Sequence, residues 1–211
     1  MNWTYRLAIA LTLLAAKLLF RFRIMHREKL LLEGPALIAA NHVSYFDPPL
    51  VAITFPIPIH FLARSSLYSN AFARWLFPRL NVIPVDQERP EIGAMKTVLR
   101  LLKENKHVLI FPEGNRSEDG GLQPAEAGTG FMVAKSGAPV IPIRIFGAYE
   151  ALPRSSKKIR LRKITTVVGD PIRFTPEELG GGKEAYKVIS ERIMEAIARL
   201  ECPPDRVPKP R

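Results

Sequence analysis

Cysteine and histidine are scarce in this chain of 211 residues, and their scarcity excludes several classes of site. The single cysteine, Cys202, cannot form an intramolecular disulfide or a zinc site built from several cysteines. With only four histidines, few side chains are available as a general base near neutral pH. The sequence also has no internal repeat.

Acidic residues are the minority among the charged ones. Lysine and arginine number 31 against 20 aspartates and glutamates, which gives a formal net charge of +11. Hydrophobic residues make up 47% of the chain, a globular composition that excludes a disordered polar chain. The length suits one domain, or one domain with an anchoring segment. The positive charge indicates an anionic partner, which is a nucleic acid, a membrane surface or a phosphorylated substrate.

The first part of the chain is apolar but contains no long hydrophobic run. Residues 7–16 carry no charge, and a helix extended to Phe20 would be about 21 Å long, shorter than the ~30 Å hydrocarbon core of a bilayer. A basic cluster follows directly, which is typical of a segment that dips into an anionic leaflet: Arg21, Arg23, Arg27 and Lys29. We therefore expect residues 1–29 to associate with a membrane. A secretory signal and a helix packed on the domain's own core are the alternatives.

Beyond this segment, short apolar runs alternate with longer helical patterns. Strands are predicted at residues 36–40, 59–63, 82–85, 108–111, 140–146 and 164–168, and helices at 48–54, 71–77, 92–104, 130–136 and 183–200. Several strands are apolar on both faces, which predicts an α/β fold with a mostly parallel, mixed sheet flanked by helices. We expect residues 30–202 to form this domain and the Pro-rich residues 203–211 to be extended and loosely held.

Residues 154–163 (RSSKKIRLRK) form a second basic segment, with six basic residues and no acidic one. No stacking aromatic side chains interleave these charges, and we therefore predict no nucleic-acid partner. A solvated surface strand and a second contact with anionic lipid are two equal alternatives for the segment.

Polar residues are concentrated after two of the predicted strands, at residues 41–47 (NHVSYFD) and 113–117 (EGNRS). Because the carboxyl ends of parallel strands meet at one edge of a sheet, a base, a carboxylate and an anion-binding arginine can converge there. His42 can remove a proton from an attacking hydroxyl, and Asp47 can accept a hydrogen bond from the other ring nitrogen. Asp47 is also expected to be the N-cap of a helix that Pro48 begins, and the two roles need not compete because a carboxylate has two oxygens.

Together these two groups resemble the signature motifs of the glycerolipid acyltransferases, the family of 1-acylglycerol-3-phosphate acyltransferases. The motif N-H-x-x-x-x-D matches residues 41–47, and F-P-E-G-T-R-S matches residues 111–117 with Asn115 in place of the threonine. The resemblance covers roughly residues 31–169, with weaker blocks at 81–86 and 138–143.

The resemblance implies an O-acyltransferase whose α/β domain follows an N-terminal apolar helix. Such an enzyme transfers a fatty acyl chain from acyl-CoA or acyl carrier protein directly to the free hydroxyl of lysophosphatidic acid, and the product is phosphatidic acid. It uses no metal and no cofactor besides the acyl donor, and it works at a membrane lipid surface, on the cytoplasmic face of the inner or plasma membrane. Acylation of glycerol-3-phosphate or of another lysolipid, thioester hydrolysis, and lipid binding without turnover are the alternatives.

The family's site residues correspond to positions in this chain. By this resemblance, His42 is the general base and Asp47 is its partner. Four residues after the second strand shape the acceptor site: Glu113, Gly114, Arg116 and Ser117. Arg116 would pair with the substrate phosphate, because a guanidinium fork suits phosphate oxygens, while Glu113 could instead brace the loop. Arg89 is a second candidate phosphate contact, although it stands later in its loop than the family's usual arginine.

Overall fold

Strands and helices alternate along the chain in a computed structural model that describes residues 2–85 and 90–207. The strands are β1 (Arg23–Met25), β2 (Ala36–Ala40), β3 (Ile59–Arg64), β4 (Val82–Val85), β5 (His107–Ile110), β6 (Val140–Phe146) and β7 (Thr165–Val168). The α-helices are α1 (Trp3–Phe20), α2 (Asp47–Thr54), α3 (Ala71–Arg79), α4 (Pro90–Lys103), α5 (Ala127–Ser136), α6 (Ala148–Ala151), α7 (Pro176–Gly180) and α8 (Gly182–Ala198). The predicted strands and helices are all present within a few residues of their expected bounds, and β1, α6 and α7 are additional.

The strands form one sheet in the order β1-β7-β6-β2-β5-β3-β4. The β6–β7 pair is antiparallel, and the other neighbouring strands are parallel. The central strand β2 is buried along its whole length, because helices cover both faces of the sheet. The α/β fold with a mostly parallel, mixed sheet is thus confirmed.

The helices lie in two layers, one on each face of the sheet. On one face, Phe20 of α1 and Val51 of α2 belong to the same apolar cluster. On the other face, Val98 of α4, Val133 of α5 and Ile193 of α8 belong to a second cluster. These two layers leave the carboxyl edge of β2 and β5 open between them.

Helix α1 is longer than expected and has two different apolar faces. It has 18 residues, and among the described residues it is the one helix long and apolar enough to cross a membrane, by length and composition only. One face packs on the domain through Tyr5, Ile9, Leu13, Ala16 and Phe20. The opposite face is exposed and presents Trp3, Leu7, Leu11, Leu14 and Leu18. Packing on the domain's own core therefore accounts for only one of the two apolar faces of α1.

The boundary expected at residue 29 falls inside the domain. Strand β1 pairs in parallel with β7, so residues 23–25 belong to the sheet and not to a separate N-terminal segment. The strand was missed because it has three residues, begins with Arg23 and has no alternation of apolar and polar side chains.

The beginning of the Pro-rich tail is held firmly, and the expectation that it is loosely held is wrong as far as Val207. Arg206 is buried, and its guanidinium donates hydrogen bonds to the Thr165 hydroxyl and to the carbonyl oxygens of Arg21 and Ile164. The tail is thereby joined to the edge of the sheet at β1 and β7.

Candidate active site

The first half of the site is the loop between β2 and α2. Its first residue, Asn41, is buried, and its side-chain amide donates to the carbonyl oxygen of Ile145 (3.2 Å) and accepts from the Ile145 N–H (2.7 Å). Two hydrogen bonds to the neighbouring strand β6 therefore fix the point at which the chain leaves β2, immediately before His42.

Asp47 is the first residue of α2, but its carboxylate does not cap that helix. Its Oδ2 atom accepts hydrogen bonds from Nδ1 of His42 (2.8 Å) and from the backbone N–H groups of Val43 and Ser44 (2.7 Å each). The N-cap position belongs to Phe46, which forms no side-chain capping bond. The expected N-cap role of Asp47 is thus wrong, because three donors of the preceding loop draw the carboxylate back towards His42.

The Asp47 carboxyl is completely buried. Burial raises its pKa, and the hydrogen bonds from His42, Ser44 and Val43 act against this rise. Its Oδ1 atom is buried and accepts no hydrogen bond from the described residues. Since a carboxylate only accepts hydrogen bonds, Nδ1 of His42 carries the hydrogen, and Nε2 keeps a free lone pair.

The imidazole of His42 is held between a carboxylate and an aromatic ring. It stacks on Phe111, with ring centroids 3.8 Å apart and planes inclined by 12°. Its side chain is 17% exposed and lines a large cavity. The ring is therefore fixed in orientation while a substrate can still reach it.

The second half of the site is the segment between β5 and α5, which holds the backbone of His42 from two sides. Glu113 accepts a hydrogen bond from the His42 N–H through Oε1 (2.8 Å), and its Oε2 accepts from the Gln123 N–H (3.0 Å). The Ser117 N–H donates to the His42 carbonyl oxygen (2.8 Å). Burial raises the pKa of the Glu113 carboxyl, and the hydrogen bonds from His42 and Gln123 oppose this effect. Both Glu113 oxygens are thus occupied by the protein's own backbone.

Ser117 is buried, and its hydroxyl serves the turn in which it lies. Its Oγ atom donates to Asp119 Oδ1 (2.9 Å) and accepts from the Gly120 N–H (3.0 Å). Neither Ser117 nor Glu113 belongs to the cavity lining. Of the four residues after β5 that the resemblance assigns to the acceptor site, these two therefore lie behind the cavity, where they support His42.

Gly114 and Arg116 do line the cavity. Gly114 has a φ of +70°, and a Cβ on it would lie 3.1 Å from the Glu126 side chain, so the turn requires glycine. The Arg116 guanidinium lies over the ring of Tyr45, 3.5 Å from its centroid. Its Nη1 atom is buried and donates to no described residue. Arg116 thus keeps donors for an anion that enters the cavity.

The cavity has a volume of about 780 Å³. Three arginines line it near His42, namely Arg64, Arg116 and Arg154, and the described lining includes no acidic residue. The Arg154 guanidinium donates to the Arg116 carbonyl oxygen (3.3 Å) and also pairs with Glu118 (3.6 Å), which lies outside the lining. The rest of the lining is largely apolar and comes from α1, β3, β5 and α5. One cavity therefore joins a basic, hydrogen-bonding region to an apolar one.

Sequence reasoning identified part of this arrangement. The structure brings together His42, Asp47, Gly114 and Arg116, whereas Arg89 lies outside the described residues. Tyr45, Phe111 and Arg154 were missed. Tyr45 and Phe111 stand inside the two motifs, so that they could have been nominated, but nothing in the basic run that begins at Arg154 marks its first residue as part of the site.

Comparison of the sequence with a family model and with individual proteins finds acyltransferases in both cases. The family model described as Acyltransferase matches residues 21–146. The chain is 28% identical over 182 residues to the 1-acyl-sn-glycerol-3-phosphate acyltransferase of Bacillus subtilis, a match that covers 85% of this chain and 87% of that protein. It is also 28% identical over 129 residues to a chloroplastic 1-acyl-sn-glycerol-3-phosphate acyltransferase of Brassica napus, which covers 60% of this chain and 37% of that longer protein.

The fold is also similar to that of a solved structure. The 1-acyl-sn-glycerophosphate (LPA) acyltransferase PlsC from Thermotoga maritima superposes with a TM-score of 0.71 at 23% identity, over 94% of this chain and 81% of that one. The family model covers more than half of the chain and includes both motif-bearing loops. The chain therefore belongs to the Acyltransferase family and is an O-acyltransferase.

Proposed function

We propose that this enzyme transfers a fatty acyl chain from a thioester to the free hydroxyl of lysophosphatidic acid and so forms phosphatidic acid. The observation that carries this proposal is the presence of the His42–Asp47 pair and the unpaired donors of Arg116 in one cavity. The names of the relatives from Bacillus subtilis and Brassica napus support the same acceptor.

His42 is the general base of the proposed reaction. Nε2 takes the proton of the acceptor hydroxyl as the oxygen attacks the thioester carbonyl, and Asp47 stabilises the imidazolium that forms. The C–S bond then breaks, and the proton passes from His42 to the departing thiolate sulfur. The attack is direct, since the serine of the loop, Ser44, is buried, donates to the Leu152 carbonyl oxygen (2.7 Å) and does not line the cavity. Glu113 and Ser117 are positioning residues that hold the His42 backbone.

The arginines of the cavity bind the phosphate of the acceptor. Arg116 offers a buried, unpaired Nη1, and Arg154 lines the same cavity and donates to the Arg116 carbonyl oxygen. A phosphate between two guanidinium groups forms charge-assisted hydrogen bonds with both, which are the strong kind. The free hydroxyl of the same molecule would then reach His42.

The apolar part of the cavity holds an acyl chain. Its lining includes Ile9 of α1, Phe61 of β3, Leu109 of β5 and Met132 of α5. The exposed apolar face of α1 rests in the surface of the bilayer, where lysolipid and product are dissolved. Acyl-CoA or acyl carrier protein is the donor, no cofactor is required, and the enzyme is membrane-associated at the cytoplasmic face of the inner or plasma membrane.

The function is tested with the purified chain in detergent, with lysophosphatidic acid and either acyl-CoA or acyl carrier protein charged with the same chain. We expect phosphatidic acid, measured by mass spectrometry, and a rate that His42→Ala lowers by about 10²–10⁴. His26→Ala is the matched control, because His26 is exposed and lies outside the cavity.

Parallel reactions separate the alternatives. Product from glycerol-3-phosphate or another lysolipid, without product from lysophosphatidic acid, would show a different acceptor. Free fatty acid released without any acceptor would show a thioesterase. A His42→Ala variant that retains near-normal transfer would remove the base assignment.

A further inference from the structure

The basic segment of residues 154–163 is an exposed strip that belongs to no strand. Residues 156–164 lie in no regular secondary structure, so the alternative of a surface strand is wrong for them. Four of its cations form no ion pair with a described residue: Lys157, Lys158, Arg160 and Arg162. A cluster of cations without counter-ions creates a positive potential that attracts an anionic surface.

Apolar side chains alternate with these charges and point into solvent. Ile159 is 54% exposed and Leu161 is 67% exposed. Transfer of exposed aliphatic side chains from water into the interfacial region of a bilayer lowers the free energy, because apolar surface is removed from water.

The strip is continuous with the exposed apolar face of α1. Leu161 and Arg162 line one groove together with Leu18 and Leu19 at the end of α1, and Val207 borders the same groove. Leu18 is 72% exposed and Val207 is 58% exposed. The main chain joins the two elements as well, because the Ile164 N–H donates to the Phe20 carbonyl oxygen (3.0 Å). The two surfaces therefore face the same surroundings.

We infer that residues 157–162 form a second lipid-binding surface, which docks on anionic phospholipid beside α1. This inference deepens the membrane association in the proposed function. A bilayer is favoured over an acidic protein such as acyl carrier protein, because the surface combines four unpaired cations with exposed aliphatic side chains and adjoins an apolar helix face. Arg154, at the start of the segment, lines the cavity, so docking of the strip brings the cavity close to the lipid headgroups.

Vesicle binding tests this inference with the full chain. Vesicles of phosphatidylcholine alone are compared with vesicles that also contain about 30 mol % phosphatidylglycerol, and bound protein is measured by co-sedimentation. We expect Lys157→Gln/Lys158→Gln to weaken binding to the anionic vesicles by about 30-fold, since each cation at such a surface contributes roughly fivefold. The difference from the wild type should shrink as salt is raised from about 0.05 M to about 0.5 M.

A second variant and a matched control isolate the surface. Ile159→Ser/Leu161→Ser should also weaken binding, at high as well as low salt, because it removes apolar contact and leaves the charge unchanged. Lys183→Gln/Lys187→Gln removes the same charge from α8, which packs on the opposite face of the sheet, and should bind as the wild type does. Thermal unfolding of each variant verifies that it is folded.

Three outcomes would overturn the inference: no binding by the wild type, equal binding by the wild type and Lys157→Gln/Lys158→Gln, or equal loss in the α8 control. If Lys157→Gln/Lys158→Gln binds vesicles normally but has a raised KM for acyl-loaded acyl carrier protein, the surface would be assigned to that protein instead. Acyl transfer measured in detergent reports on the proposed function separately, because no bilayer is present in that assay.

Discussion

Replacement of Asp47 by asparagine removes one negative charge from the site and places an amide NH2 at the buried Oδ1 position, which has no partner among the described residues. The side chain keeps its size, and an amide oxygen at the position of Oδ2 can still accept hydrogen bonds from the Val43 and Ser44 N–H groups and from Nδ1 of His42. The loop therefore keeps its bonds, and the loss falls on the step in which His42 becomes positively charged.

The magnitude follows from the distance between the two groups. Nδ1 of His42 and Oδ2 of Asp47 are 2.8 Å apart, and the centres of the two charges are about 4 Å apart once charge delocalisation is included. Two unit charges about 4 Å apart attract by about 4 kcal/mol at an effective dielectric constant of about 20. Since about 1.4 kcal/mol corresponds to a factor of ten in rate, we expect Asp47→Asn to lower kcat by about 10²–10³.

Steady-state kinetics with lysophosphatidic acid in detergent micelles measures this effect. The KM for the acceptor should stay near the wild-type value, because Asp47 does not line the cavity. Asp170→Asn is the matched control, since Asp170 is an exposed aspartate that pairs with Lys29 on the surface (2.9 Å). A folded Asp47→Asn variant with kcat within threefold of the wild type would refute the argument that Asp47 stabilises an imidazolium.

Three further predictions concern acceptor binding, packing and pH. Arg154→Ala, which also breaks the surface pair of Arg154 with Glu118 (3.6 Å), should raise the KM for lysophosphatidic acid at least tenfold with little change in kcat. Arg23→Ala, which breaks a similar surface pair with Asp205 (3.6 Å), should leave KM unchanged. Gly130→Ala should lower the free energy of unfolding by about 3 kcal/mol in urea titrations, because the added Cβ would lie 1.8 Å from the Tyr186 carbonyl oxygen. Gly180→Ala is the control: a Cβ at Gly180 would have no atom within 4 Å, so this variant should be neutral or slightly stabilising. Burial lowers the pKa of His107, so the contribution of its neutral form to stability is complete above about pH 6.5 and decreases as the pH falls towards the lowered pKa. His107→Gln keeps a donor for the Leu31 carbonyl oxygen, and it should lose less stability than the wild type between about pH 7.5 and 5.5.

Most of the sheet could be predicted because parallel strands buried on both faces leave continuous apolar runs in the sequence. The run at 36–40 is such a case, and β2 is completely buried there. Strand β1 could not be found in this way, because it is an edge strand of only three residues and leaves no continuous apolar run in the sequence. Arg206 was misjudged for a related reason: proline content predicts local stiffness, but it carries no information on the distant carbonyl groups that the arginine meets.

The sequence predicted the His42–Asp47 pair better than it predicted the residues that hold this pair in place. The spacing of His42 and Asp47 suggested their pairing, which the 2.8 Å distance bears out. The roles of Glu113 and Ser117 could not be separated from substrate binding by sequence, since both are polar residues of the same motif as Arg116. Their contacts with the backbone of His42 depend on the order of the strands, which local sequence does not encode.

That strand order explains why two loops separated by about seventy residues act as one site. Strands β2 and β5 are parallel neighbours, with Ala39 opposite Ile110, so the residues just beyond their ends lie side by side. The His42 N–H and carbonyl oxygen then find partners in Glu113 and Ser117, as if the pairing of the two strands continued past the edge of the sheet. The same continuation sets Arg116 over Tyr45, three residues after His42. His42 on one loop and Arg116 on the other are thus positioned by the same backbone pairing, which is the arrangement that the proposed reaction requires of a base and a phosphate-binding group.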